Sequence, residues 1–298
     1  MAITVLGGLL SATLSLLHLT PFSGFFFISY FAPLPLFLIG LGIGLRPLYG
    51  AGLVATLIVF LLEAPMLGAE FFVFSVLGPT FLVNRTLLNR KKSSGEVVWY
   101  PSSFLLRDLT LASCLVMPLA LGVYFYLSEG GDLHVLIKNL IKTFDPEGHI
   151  RDAEALLTKL FSLLPGFFAL SWTMMMLING AIAQGILIRN NKNLRPSPSF
   201  ENLEMPKSFL IALGISFILS MVGIGYVELF GKNAVLVLIF PFFVIGLGLV
   251  HRWLRKTSFA TVGLTIFYLV LLFLLWPALF VILLGILKPW IEKSVSQN

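Results

Sequence analysis

Nine apolar runs of roughly bilayer-crossing length recur along this chain, at residues 3–19, 25–45, 48–62, 71–88, 104–127, 164–188, 209–230, 234–251 and 262–287. A helix needs about 20 such residues to cross hydrocarbon. Charged residues make up only 11% of the chain and apolar ones 58%, with a mean hydropathy of +0.97, far from the quarter charged that soluble domains carry. The expected fold is therefore all-α, a polytopic transmembrane helix bundle of about nine spans or eight, forming one integral membrane domain over 1–298 with no soluble domain. The third run is short and the second is interrupted, so these two are where an eight-span count would arise. The ninth is read as one tilted crossing with a kink at Trp276-Pro277, because splitting it leaves pieces too short to span. Met1 to Leu19 lacks a positive leading segment and reads as a first span, not a cleaved signal.

This count divides the charges between two alternating sets of loops. One set, with Arg46, Arg85, Arg90, Lys91, Lys92, Arg107, Arg189, Lys192, Arg195, Lys207, Arg252, Arg255 and Lys256, holds thirteen basic residues against four acids. The other holds seven basic residues, Lys288 and Lys293 among them, against ten acids. Positive-inside bias makes the first set cytoplasmic, which puts the N-terminus inside and, for nine spans, the C-terminus outside. The expected location is the bacterial cytoplasmic (inner) membrane. The net charge of +6 is an orientation signal here and implies no nucleic acid.

Inside the second run, Phe31-Ala-Pro-Leu-Pro-Leu-Phe-Leu-Ile-Gly-Leu-Gly-Ile-Gly44 sets two prolines ahead of three glycines. Pro33 and Pro35 each remove a backbone donor, and Pro35 pushes Leu34 out of the helical region, so the helix must break or kink there. Carbonyls freed at that depth need partners in neighbouring helices or a wet cavity. Gly40 and Gly44, four apart, predict a face for close helix packing.

The sixth run carries the densest polar set, Trp172, Asn179 and Gln184, with Ala181 and Gly185 as a second small-residue pair. Asn179 and Gln184 are five apart and point to different faces, so hydrogen bonds between helices compete with ligand contact as their role. Met174 to Met176 cannot share a face and read as packing. Arg107 and Asp108 predict a local interfacial pair, and His18 and His251 sit at span ends as interfacial anchors. Carboxylates fall at span ends, which speaks against proton- or sodium-coupled transport. No HExxH, GxSxG or intramembrane carboxylate pair is present, so no catalytic residues, no metal site, no cofactor and no enzyme activity are expected. The stretch Gly225 to Asn233 departs from a phosphate-binding loop in spacing and lacks its Ser/Thr. Cys114 is the lone cysteine, which excludes disulfides. In the outer segment 128–163, apolar residues recur at helical spacing in two stripes separated by Asp145-Pro146-Glu147-Gly148. They predict a pair of short amphipathic helices, on the membrane surface or over the bundle mouth.

Four stretches together resemble one family. These are Phe31-Ala-Pro-Leu-Pro-Leu with Gly40-Leu-Gly; Trp99-Tyr100-Pro101; Asn179 with Arg195-Pro196-Ser-Pro198 and Met205-Pro206; and Gly246-Leu-Gly-Leu-Val-His251 with Leu284-Gly285. The chain is similar in these to the YybS-like predicted bacterial membrane proteins, in their alphaproteobacterial form, a domain of unknown function. The acid usual after the last glycine is absent, since Ile286-Leu-Lys288-Pro-Trp stands there. That resemblance implies a distant likeness to the substrate-binding subunits of energy-coupling-factor vitamin transporters and carries over no binding residues. The expected function is an inner-membrane protein that binds or helps to transport a small molecule, with Pro33, Pro35, Trp172, Asn179 and Gln184 as ligand-binding candidates. The alternative is an assembly scaffold that docks other membrane proteins through Gly40, Gly44, Ala181 and Gly185. Expected partners are the lipid bilayer, a small-molecule ligand, and a membrane-protein partner, which would be the energy-coupling subunits if the protein is transporter-like.

Overall fold

A computed structural model describes residues 1–17, 26–63, 65–129, 132–144, 152–197, 203–274 and 276–295. The predicted His18 anchor and the Asp145–Gly148 breaker lie outside them. The chain is mostly helical: α1 (Ala2–Leu16), α2 (Phe26–Ser29), α3 (Leu34–Gly42), α4 (Leu45–Leu62), α5 (Pro65–Phe71), a π-helical turn (Phe72–Leu77) and α6 (Gly78–Leu87) come first. A hairpin of β1 (Asn89–Lys91) and β2 (Val97–Trp99) follows, pairing Asn89 with Trp99. Then come α7 (Ser102–Glu129), α8 (Asp132–Phe144), α9 (Ala153–Phe161), α10 (Leu164–Arg189), α11 (Lys207–Leu219), α12 (Gly225–Arg255), α13 (Ala260–Phe273) and α14 (Pro277–Val295). The two amphipathic helices expected in the outer segment are α8 and α9, and Leu133 and Ile137 of α8 are buried. The hairpin occupies the short segment between the fourth and fifth apolar runs.

Helix lies within every one of the nine apolar runs. Among the described residues five helices are long and apolar enough to cross a membrane: Leu45–Leu62, Pro65–Leu87, Ser102–Leu127, Leu164–Arg189 and Gly225–Arg255. A sixth span results only if α13 and α14 count as one, and these meet at a bend of 115°. Ala2–Leu16, Phe27–Gly42 and Lys207–Leu219 are shorter apolar helices. Hydrophobicity thus predicts the helices well, while among the described residues five or six, not nine, have the length and composition of a full crossing.

The chain divides into two compact units, residues 1–105 with 172–198, and residues 106–171 with 199–298. In the first, α1, α3, α4 and α6 pack together around Leu36, Leu48, Ala51 and Val83, all buried. Gly40 makes the close approach predicted for it, since a Cβ there would lie 2.9 Å from Val83 and 3.0 Å from Leu48. Gly44 does not. It is the turn between α3 and α4, with φ +123° and open space where a Cβ would stand. Only glycine adopts that backbone readily, so its spacing from Gly40 reflects the turn and not a packing ridge.

In the second unit α11 runs antiparallel to α12. Gly231 presses on Leu219 and Ser220, and further along Phe209 and Leu213 cluster with Leu238 and Phe242. On α12 Gly246 meets the Val281 carbonyl, while Gly285 of α14 meets the Phe242 carbonyl, both closer than any side chain permits. Arg252 pairs with Glu292 at 2.5 Å, and buried Lys288 donates to the Leu203 carbonyl at 2.8 Å. Arg107 and Asp108 form the predicted local pair at 2.7 Å.

Candidate functional site

The break in the second run can be followed carbonyl by carbonyl, because every buried backbone group at that depth needs a partner. Without N–H groups at Pro33 and Pro35, the segment tightens to shorter-range bonds: Phe31 N–H donates to Ile28, Ala32 to Ser29, and Leu34 to Phe31, at 2.9–3.0 Å. The Tyr30 carbonyl, which Leu34 would satisfy in a regular helix, accepts instead from Asn179 Nδ2 at 3.0 Å. The Ala32 carbonyl accepts from Ser11 Oγ at 2.7 Å. Regular bonding resumes where Phe37 N–H donates to Pro33 at 3.0 Å. The break is thus sealed by two polar side chains from two other helices; Pro33 and Pro35 are themselves buried, and Asn179 reaches the Tyr30 carbonyl just ahead of them.

Asn179 itself is 0% exposed. Its Nδ2 donates both to Tyr30 and, at 2.8 Å, to the Met175 carbonyl one turn earlier, which fixes the amide's orientation, since a flip would set oxygen against two carbonyls. Its Oδ1, turned the other way, is buried and has no donor among the described residues. Gln184 repeats this arrangement. At 7% exposure its Nε2 donates 2.9 Å to the Arg195 carbonyl, while Oε1 is buried with no donor among the described residues. Trp172 is separate from both, its Nε1 donating 2.9 Å to the Phe74 carbonyl in the π-helical turn. In a π turn each carbonyl bonds five residues on, and for Phe74 that residue is Pro79, which has no N–H, so an indole N–H is a suitable partner. The three α10 side chains are therefore spread along the helix on three partners and do not line one pocket. Ala181 and Gly185 are exposed, and nothing stands within 4 Å of a Cβ added at Gly185.

Arg195, which reads in sequence as one more cytoplasmic charge, is 5% exposed. Its guanidinium bridges the carbonyls of Thr86, in the last turn of α6, at 3.0 Å and of Tyr100 at 2.6 Å, and it lies 5.9 Å from the Trp99 ring centroid. Burial lowers its pKa, yet arginine stays charged, and the negative end of α6 is a favourable place for that charge. The clasp ties the β-hairpin to α6 and to the segment after α10. Its only sequence signal is the Trp99 and Arg195 of the family-like stretches.

The second unit has its own buried amide and a cleft. Asn233 is 0% exposed, and its Oδ1 accepts from Gly166 N–H at 2.6 Å while its Nδ2 donates to Ser162 and Leu229 at 2.9 and 2.8 Å. Gly166 is in the first turn of α10, so Asn233 caps that helix from α12. Nearby, a cleft of about 480 Å³ is lined by Tyr124, Phe125, Ser162, Tyr226, Glu228 and Lys232, with Glu228 and Lys232 paired to each other. None of the sequence-predicted site residues lines it. Among the described residues no group of three or more His, Cys, Asp or Glu could hold a metal ion.

No curated protein and no solved structure matches the chain. A family match, however, extends over residues 9–287, nearly the whole set of helices just described, and so this chain belongs to the family described as predicted membrane protein (DUF2232).

Proposed function

We propose that this protein binds a small molecule carrying a hydrogen-bond donor inside the bilayer, received by Asn179. The observation that carries the reading is the Asn179 Oδ1 atom, held in a fixed orientation, buried, and lacking a donor among the described residues. Such an atom costs about 1–3 kcal/mol when nothing pairs with it. A ligand donor recovers that cost; Gln184 Oε1, on another face of the same helix, is a separate acceptor of the same kind. The freed carbonyls of the proline break are used internally, so the ligand contact lies on the amides. Pro33 and Pro35 act on it indirectly, by leaving the Tyr30 carbonyl that orients Asn179. On this reading the protein sits in the cytoplasmic membrane with its N-terminus inside and binds its ligand without catalysis, as a substrate-binding subunit of a vitamin transporter would. A saturating ligand at 100 times its Kd would add about 2.7 kcal/mol of stability. Thermal-shift screening of the purified protein against vitamins, cofactor precursors and lipids should give a hit that Asn179→Leu abolishes. A folded protein that responds to none of them, or a hit unchanged in Asn179→Leu, refutes the reading.

The open Ala181 and Gly185 face supports the scaffold alternative, in which a membrane-protein partner packs there. Crosslinking from Gly185→Cys that recovers one stoichiometric partner would favour it.

A further inference from the structure

The ninth apolar run reads in sequence as one crossing, but the contacts of the second unit trace a different path. The glycine contacts show only that α12 and α14 touch at Phe242 and Gly246 on one helix and Val281 and Gly285 on the other. The Arg252–Glu292 pair sets the direction, since it joins the C-terminal ends of both helices. An independent path agrees. Helix α11 is antiparallel to α12, so the chain just before Lys207 lies near the Arg252 end, and Leu203 there receives Lys288 of α14. Two unrelated contacts thus require α14 to run parallel to α12.

Helix α13 follows directly on the Arg252 end of α12 and has to lead away from it before α14 can return. At 14 residues it is about 21 Å long, short of the ~30 Å of hydrocarbon. Parallel pairing sets Pro277, the start of α14, near the level of Leu238. That level is about 20 Å along α12 from Gly225 and about 21 Å from Arg252, near the middle of the bilayer. The charges agree with this path. Moving Lys288, Glu292 and Lys293 to the cytoplasmic set gives fifteen basic residues against five acids there, and five against nine on the other side, a sharper division than a ninth crossing allows.

We propose that α13 and α14 form a re-entrant hairpin that enters from the cytoplasmic face, turns near mid-bilayer, and returns along α12. Arg252, Glu292 and Lys288 clasp its end at the face it came from. The C-terminal end of α14 is then cytoplasmic, and the chain crosses the membrane an even number of times. In a Cys114→Ser background, single cysteines at Ser258, Trp290, Trp276 and Tyr226 are treated with a membrane-impermeant maleimide, before and after permeabilising cells. Trp290, 58% exposed at the end of the hairpin, should behave as Ser258 does and opposite to Tyr226, while Trp276 at the tip stays unlabelled in both states. Trp290→Cys behaving as Tyr226→Cys would overturn the hairpin and restore a full crossing. Trp276→Cys labelling from the Tyr226 side would overturn re-entry in favour of two crossings. Green fluorescent protein fused after Asn298 of the unsubstituted chain gives a check that no cysteine can perturb. Fluorescence supports the cytoplasmic end. A folded, non-fluorescent fusion that gains activity when alkaline phosphatase replaces the reporter refutes it.

Discussion

Asn233→Ala should destabilise the second unit more than its place in an apolar helix suggests. Truncation removes two bonds to other segments, from Gly166 N–H and to the Ser162 carbonyl, and one within α12 to Leu229. Side-chain hydrogen bonds between membrane helices average about 0.6 kcal/mol and reach about 1.7. The Gly166 N–H is a different matter, because it sits in the first turn of α10, where the helix supplies no acceptor, and stranding it costs about 1–3 kcal/mol. The expected total is about 2–4 kcal/mol, a fall of roughly 5–10 °C in melting temperature followed by size-exclusion fluorescence in detergent. Gly166→Ala supplies the control. Its new Cβ would lie 2.8 Å from Asn233 Oδ1 and 3.0 Å from the Asn233 Cα and carbonyl oxygen, so the single variant should lose the same contact by pushing α12 away. Because both changes break one junction, the double variant should cost less than the two added together, by 0.5 kcal/mol or more. An Asn233→Ala protein melting within about 1 °C of the parent, or strict additivity in the cycle, would refute the cap.

Gly40→Leu should lower stability by about 1–3 kcal/mol through overpacking against Val83 and Leu48, while Gly185→Leu, with open space around it, should leave the melting temperature of the detergent-purified monomer unchanged. Arg195→Lys keeps the charge but cannot bridge the Thr86 and Tyr100 carbonyls as a planar fork does, so the link from β2 to the end of α6 should weaken by about 1–3 kcal/mol and expose Lys91 and Lys92 to faster limited proteolysis. Replacing both Pro33 and Pro35 with alanine should not stabilise the protein. The Ser29 and Phe31 carbonyls that restored N–H groups would seek are already occupied, and straightening the segment breaks the Asn179 and Ser11 bonds, so the melting temperature should hold or fall, with a rise counting against the seal.

How far the sequence carried depended on whether a signal was local. Periodicity and apolar length located the helices, and two prolines located the break, because both are properties of neighbouring residues. The demand that freed carbonyls find side-chain partners was also legible, and Asn179 could be named. Its partner could not, because nothing in the sequence pairs residue 179 with Tyr30. Gly44 was misread for the complementary reason: a four-residue spacing is the same whether the second glycine packs or turns, and only its φ separates the two. Asn233 and Gly231 went unrecognised inside a stretch set aside for failing as a phosphate loop, and Ser11 looked like an ordinary small residue of a first span. The 115° bend between α13 and α14 inside the 26-residue ninth run was not legible either, because the contacts that position α14, Glu292 with Arg252 and Lys288 with Leu203, join residues far apart in the chain.

The backbone contact of α12 with α14 has a mechanical meaning beyond packing. Where Gly246 and Gly285 meet the opposite carbonyls, no side chain stands between the helices to roll or yield. Axial slip by one residue in either direction would bring Ile245 or Leu247, or Leu284 or Ile286, to the contact and drive a Leu or Ile side chain into a carbonyl oxygen. The two helices are therefore keyed together like splined shafts, able neither to slide nor to turn independently. Any rocking that reaches the N-terminal end of α12, where Tyr226, Glu228 and Lys232 line the cleft, must carry α14 with it as one rigid lever.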